Sequence, residues 1–353
     1  MKRLFAVLIC VGILVGLPAC GTSGGDSGSD NSDEKDVYEL SFSMHTAADS
    51  RWGEIFQQMF DDIYKKTDGH VKITNFGSGT LASAADVADM VKDGGCDIGW
   101  LFTAFYYGQY PLSDVISVPL QNAQTSAQGT QVLWDLYDNY EEMAAEWSDY
   151  KILQLYANPV SYIYTTKPIA GMADLSGMSI RSTSGGIADC LKNWGANVIT
   201  MAPNDIYDGI SKNNIQGYTF EPTGIVDYSL AEVTPYMLDM PLYQAPFVIV
   251  MNKEVYDSMP AEYQAVFDEY ATREASLSLA SEVDAYVTQC QQAYEADGGE
   301  VLELSDAAYE EFRGVAEAYA DGWADQNAKD GFDADAYYQF CMDAYAKYAP
   351  SEE

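Results

Sequence analysis

Apolar and polar positions along this chain switch repeatedly between the period of a strand and that of a helix. Residues 37–43 (VYELSFS) mix apolar and polar side chains as a first strand does. Across 51–66, Trp52, Ile55, Phe56, Met59, Phe60 and Ile63 recur three or four apart, which buries one face of a helix. Asp68-Gly69 ends that helix, and 71–74 (VKIT) is a second strand. A loop with two glycines fills 75–80, a helix follows over 82–92, and a third strand over 97–101. This β-α-β-α-β order predicts an α/β lobe with a largely parallel sheet.

The pattern then restarts. Strands are expected at 151–156 and 161–166, and again at 178–182 before Gly185-Gly186 and a helix at 187–194. A strand at 198–201, a helix at 204–212 behind Pro203 and a strand at 215–220 complete a second α/β lobe, and 247–251 returns as one more strand. Residues 261–297 contain neither Gly nor Pro. One helix of that length would measure about 55 Å, against about 30 Å for a small domain, so it either breaks or runs across both lobes. Further helices are expected around 306–325 and 333–347.

The N-terminus has a different pattern. Met1-Lys2-Arg3, an apolar run over 4–17 and Pro18-Ala19 have the layout of a secretory leader, too short for a membrane span. Residues 21–36 carry no apolar side chain and read as a flexible linker. The remaining 317 residues (353 minus 36) exceed one ordinary core and point to two lobes. Fifty-four acidic residues face 18 basic ones, a charge of −36 that repels nucleic acid and anionic lipid. Cationic side chains are therefore scarce, and one placed in a cleft carries information. Cys96, Cys190, Cys290 and Cys341 show no metal-ligand spacing; export permits disulfides, but a core this large needs none, so free buried thiols are expected.

Several segments resemble known families. Leu17-Pro18-Ala19-Cys20 is similar to the lipobox of bacterial lipoproteins, in which Cys20 would be acylated and become the new N-terminus, anchoring the chain to a membrane through lipid. From Tyr38 to roughly Tyr345 the chain resembles the DctP-type extracytoplasmic solute receptors of tripartite ATP-independent periplasmic (TRAP) transporters. The likeness is carried by SFSMHTAADSRWGEIF, KTDGHVKI, GSGTLAS, VKDGGCDIGW, KPIAGMADLSGMSIRS, GANVITMAPNDIYDGISKNNIQGYTFEP and APFVIVMNKEVYDSMPAEYQ, in that order. It implies a two-lobed, periplasmic-binding-protein-like (Venus flytrap) α/β fold with a long helix spanning both lobes. It also implies closure on a solute and delivery to a small and a large membrane subunit. The first lobe would comprise 37–155 with about 245–280, and the second 156–244 with about 281–349.

Arg181 matches the arginine of the family's G-x-x-(I/L/V)-R strand, which implies a clamp on a solute carboxylate. The chemistry agrees: a guanidinium forks onto a carboxylate and stays charged when desolvated. It falls near the carboxyl end of a strand, where open α/β sheets place ligands. Ser161 and Tyr162 stand where some members carry a second arginine, so a two-arginine clamp is not expected. Residues 215–222 replace the family's VDGQENP segment, making Tyr218, Phe220 and Glu221 candidates. Glu221 is suited either to accept from a hydroxyl or amine of the solute or to pair with Arg181. In the first lobe, His45 follows the first strand as a neutral hydrogen-bonder and Trp100 ends the third as a platform; Tyr243 precedes the strand at 247–251. These residues together describe a site for a small organic anion with an apolar or aromatic body. There is no HExxH, GxSxG, P-loop or GxGxxG, and no cofactor or metal motif. The competing readings are an ABC-type or sensory binding lipoprotein, which would lack the lobe-spanning helix, and a secreted hydrolase with paired carboxylates.

Overall fold

The computed structural model describes residues 37–350 except Ser184 and Asp330. The leader, Cys20 and the linker lie outside the described residues.

The first sheet is built from β1 (Tyr38–Ser43), β2 (Val71–Phe76), β3 (Ile98–Phe102), β4 (Tyr150–Ala157) and a late strand, Pro246–Asn252. The second sheet takes β5 (Ser161–Thr165), β6 (Ser179–Arg181), β7 (Asn197–Ile199), β8 (Gly217–Phe220), β9 (Tyr236–Tyr243) and β11 (Glu300–Leu302), the late strand of the first being β10. Their orders are β2-β1-β3-β10-β4 and β11-β9-β5-β8-β6-β7. Each sheet is mixed. β1 runs parallel to β2 and β3, but β10 is inserted antiparallel between β3 and β4. The expectation of a largely parallel first sheet is thus corrected. β3 and β10 are buried along their whole length, as strands covered on both faces must be.

The chain crosses between the sheets twice, side by side. β4 leads into β5 through Asn158-Pro159-Val160, and β9 into β10 through Gln244-Ala245. The two crossings are tied together. Asn158 N donates to the Ala245 carbonyl at 2.9 Å and Ala245 N to Asn158 Oδ1 at 2.6 Å. Gln244 Nε2 donates to the Asn158 carbonyl at 2.9 Å and to that of Thr125 at 2.8 Å. The helix Ser126–Asn139 approaches this ribbon at Gly129, where a Cβ would come within 2.4 Å of Gln244 Oε1 and 2.6 Å of the Ala157 Cβ. Only glycine permits that contact.

A third link is the helix Arg273–Ala296, about 36 Å long. The Gly- and Pro-free stretch breaks after Asp268 and restarts behind Thr272, whose side chain accepts from Ala275 N. What remains spans the lobes. Ser276 Oγ accepts from Leu155 N of β4 at 3.2 Å, and the Asp284 carboxylate accepts from Ser126 N and Ala127 N at 2.7 and 3.0 Å. Further along, Tyr286 donates to Asp227 at 3.0 Å and Tyr294 to the Thr234 carbonyl at 3.2 Å, both in the second lobe. Among the described residues, no helix is long and apolar enough to cross a membrane.

The C-terminal helices depart from the expected division. Trp323, Tyr337, Cys341 and Tyr345 are buried in one cluster with Leu101, Val115, Val132 and Val250 of the first lobe. Tyr337 donates to the Leu112 carbonyl at 2.9 Å. Residues 323–347 therefore pack on the first lobe rather than on the second. Cys96, Cys190, Cys290 and Cys341 are free and buried.

Candidate functional site

Arg181 is the last residue of β6, at the carboxyl end of a strand flanked in parallel by β7 and β8. Gly185, at φ 92°, turns the chain from that end into the helix Gly186–Asn193. Of the described lysines and arginines only Arg181 is buried, at 3 % exposed. Its Nε donates to the Met201 carbonyl and Nη1 to the Thr219 carbonyl, both at 3.2 Å. Cζ lies 5.3 Å from the Phe220 ring centroid. These bonds use two of the five N–H donors of a guanidinium. Nη2 has no partner among the described residues, and Arg181 forms no ion pair with them. Burial pushes its pKa down, with the Tyr243 and Glu221 charges opposing, and a guanidinium remains charged there. The arrangement is a buried cation anchored on two carbonyls with its outer fork unused.

Glu221 follows β8 and caps the helix Pro222–Asp227 by backbone alone. It stands within the field of Arg181 but forms no ion pair with it, and its carboxylate accepts no hydrogen bond from another described residue. Burial pushes its carboxyl up to about 7; Arg181 pulls the other way and Asp227 adds to the rise. Tyr243, buried at the end of β9, shares a hydrogen bond with Thr183 Oγ1 at 3.1 Å and feels both Glu221 and Arg181. In the register, Tyr243 faces Ser161 across β5.

The first lobe contributes an aromatic stack. His45 lies flat on Trp100 with centroids 4.4 Å apart, and Trp100 packs on Phe247 at 4.6 Å and Trp52 at 4.9 Å. Trp100 Nε1 donates to Tyr156 Oη at 2.7 Å. Trp100 is thus a core residue at 2 % exposed, not an open platform. Burial lowers the His45 pKa to about 4, so the ring is neutral at physiological pH, and it stacks without a hydrogen bond to any described residue. Tyr156, near the carboxyl end of β4, escaped the sequence reading. Its hydroxyl accepts from Trp100, and Glu221 lies near enough to raise its pKa further beyond what burial does.

Not every candidate joins this group. Tyr218 is buried in the second lobe, stacked on Tyr164 at 5.4 Å and hydrogen-bonded to Thr234 Oγ1. Tyr162 pairs with Phe220 in the β5–β8 register and packs partly buried against neighbouring cores. Arg181, Glu221, Tyr243 and Phe220 therefore cluster, with His45 and Trp100 in the first-lobe stack and Tyr218 and Tyr162 elsewhere. Buried polar atoms without partners recur at strand ends, at Ser43 Oγ (β1), the Asn75 amide (β2), Asn158 Nδ2 (after β4) and Thr223 Oγ1 (after β8).

Beside Tyr243 opens a cavity of about 390 Å³, lined by Tyr107 and Asp114 of the first lobe, Gly186 of the second, and Tyr319, Trp323 and Lys329. That volume falls in the range of small-molecule sites, about 300–1,000 Å³. Burial raises the Asp114 carboxyl to about 7.

Comparison with known proteins agrees with this architecture. The chain is 23 % identical over 213 residues to the 2,3-diketo-L-gulonate-binding periplasmic protein of Escherichia coli, a match covering 60 % of this chain and 65 % of that one, just under two thirds. A marine metagenome TRAP solute-binding protein, solved with 3-hydroxybenzoate, superposes with a TM-score of 0.83 at 22 % identity, covering 90 % of this chain and 100 % of that one. A Bordetella pertussis extracytoplasmic solute receptor binding pyroglutamic acid gives 0.75 at 21 % identity, covering 88 % and 100 %. The two-lobed periplasmic-binding fold is thus shared. The family model covers residues 42–327, and the chain belongs to the DctP family, bacterial extracellular solute-binding protein family 7.

Proposed function

We propose that this protein is the extracytoplasmic receptor of a TRAP transporter that captures a small organic acid between its lobes, with Arg181 holding the carboxylate. It would hand the solute to a small and a large membrane subunit. The leader and lipobox pattern support a lipid anchor at Cys20 on the outer face of the cell membrane. The carrying observation is the buried guanidinium, bonded among the described residues to two carbonyls and to no carboxylate. In a chain of charge −36 no general field draws an anion in, so the attraction must be local. The lobe-crossing helix favours this reading over an ABC-type receptor. The relatives are described with acids as solutes, which supports the substrate class.

A thermal-shift screen of small organic acids tests the proposal. A binder at about 100 times its Kd adds about 2.7 kcal/mol of stability, which raises the melting temperature by roughly 5 °C. Hits confined to carboxylates are expected. Hits only among sugars or cations would contradict the reading.

A further inference from the structure

Arg181 and Glu221 stand in one another's field yet do not pair. The Arg181 guanidinium is satisfied on one side by two carbonyls and open on the other. An ionised carboxylate such as Glu221's only accepts hydrogen bonds. No hydroxyl near it donates to it: Tyr243 shares a hydrogen bond with Thr183, and Tyr156 accepts from Trp100. When closing lobes remove water, an acceptor without a donor is costly. A plain monocarboxylate satisfies Arg181 but brings no donor to Glu221. It also brings a second negative charge beside it. A solute with an N–H group next to its carboxylate answers both groups at once.

We propose that Glu221 makes this site selective for carboxylates bearing an adjacent N–H donor, an ammonium or a ring amide, over plain acids of the same shape. The inference rests on the carboxylate reading of Arg181. It assigns Glu221 the acceptor role and gives the pair opposite ends of one solute.

The pair also sets a pH signature. Glu221 is faced by Arg181 on β6, Asp227 on its own helix, Tyr228, Tyr156 on β4, Tyr164 on β5 and Tyr243 on β9. Among these groups its carboxyl, raised by burial to about 7, changes charge nearest neutrality, while Asp227 sits at about 6 and is bonded by Tyr286. Asp114, also at about 7, belongs to the cavity beside Tyr243 and is not among the groups facing Glu221. A plain acid binds best while Glu221 is protonated, so its affinity falls as pH rises through that value. An ammonium-bearing acid prefers ionised Glu221, so its affinity holds or rises.

Titration calorimetry at about pH 6 and about pH 8 would compare the chain with Glu221→Gln and Arg181→Ala. Two matched pairs serve as probes, pyroglutamate against its lactone counterpart and phenylglycine against phenylacetate. The donor-bearing member of a pair should bind about 10-fold or more tightly. Glu221→Gln should shrink that ratio several-fold by weakening the donor-bearing member, strengthen the plain acid at about pH 8, and flatten its pH dependence. Equal affinities within the pairs, or a ratio unchanged in Glu221→Gln, would overturn the role of Glu221 and leave the clamp standing. Full affinity in Arg181→Ala, or no binding by any probe, would instead overturn the carboxylate reading beneath it.

Discussion

Replacing Arg181 by alanine is expected to weaken binding of an acid solute on the order of 100-fold or more. The estimate follows from what truncation of one partner in a desolvated charge pair costs, about 2–5 kcal/mol, at about 1.4 kcal/mol per tenfold. Two features put this case at the upper end. No other described lysine or arginine is buried, so none can take over. The guanidinium is also held before the solute arrives, by the Met201 and Thr219 carbonyls and the Phe220 ring, so little ordering remains to be done on binding. Arg181→Lys keeps the charge but offers no fork, and one ammonium cannot serve both carbonyls and bridge a carboxylate as well. It should recover only part of the loss. Calorimetry against a carboxylate hit checks both variants, and circular dichroism confirms that each is folded.

Trp100→Ala should instead act on stability. Removing a buried Trp typically costs about 3–5 kcal/mol through lost burial and the cavity left behind. Here the indole contacts His45, Trp52, Phe56 and Phe247, and its N–H satisfies Tyr156. Native domains are stable by only about 5–15 kcal/mol, so urea denaturation should show a large fall in midpoint. Trp100→Phe preserves the stacking and loses only the N–H bond, a smaller effect of about 1 kcal/mol plus residual volume. A folded fraction of Trp100→Ala that binds solute normally would fit a core residue. A stable variant with lost binding would mark a solute platform after all.

That contrast shows where sequence reasoning reached and where it stopped. Strand ends guided the choice of candidates: Arg181 was expected near the carboxyl end of its strand and is the last residue of β6. The same logic named Trp100, but β3 is apolar on both faces. With no alternation to read, nothing separated the side chain pointing into the core from one pointing at the cleft. Tyr218 and Phe220 illustrate the same difficulty in β8. Both are buried, yet only Phe220 lies under the guanidinium.

Strand order was less legible still. β10 lies between β3 and β4 through pairings such as Ile249 with Trp100 and with Gln154, partners distant in the chain. Local periodicity holds no information about such pairings. β9 was missed because Pro241 interrupts its pattern; the strand accommodates it at an irregularity in the β5 register between Ser161 and Ile163. A helix around 333–347 was expected and Ala334–Lys347 forms one, but local pattern does not say which lobe will bury it. The long helix was the opposite case. Its length alone excluded confinement to one small lobe unless it broke, and the chain does both.

The central claim is that a solute carboxylate sits on the free fork of Arg181 between the lobes. A crystal structure with an acid identified by the thermal-shift screen tests it most directly. The account predicts carboxylate oxygens within hydrogen-bond distance, about 2.7–2.9 Å, of the Arg181 Nη atoms, with the rest of the solute reaching toward Tyr243 and Glu221. A solute lodged instead in the cavity near Asp114 and Lys329, with Arg181 bonded only to the Met201 and Thr219 carbonyls, would contradict it.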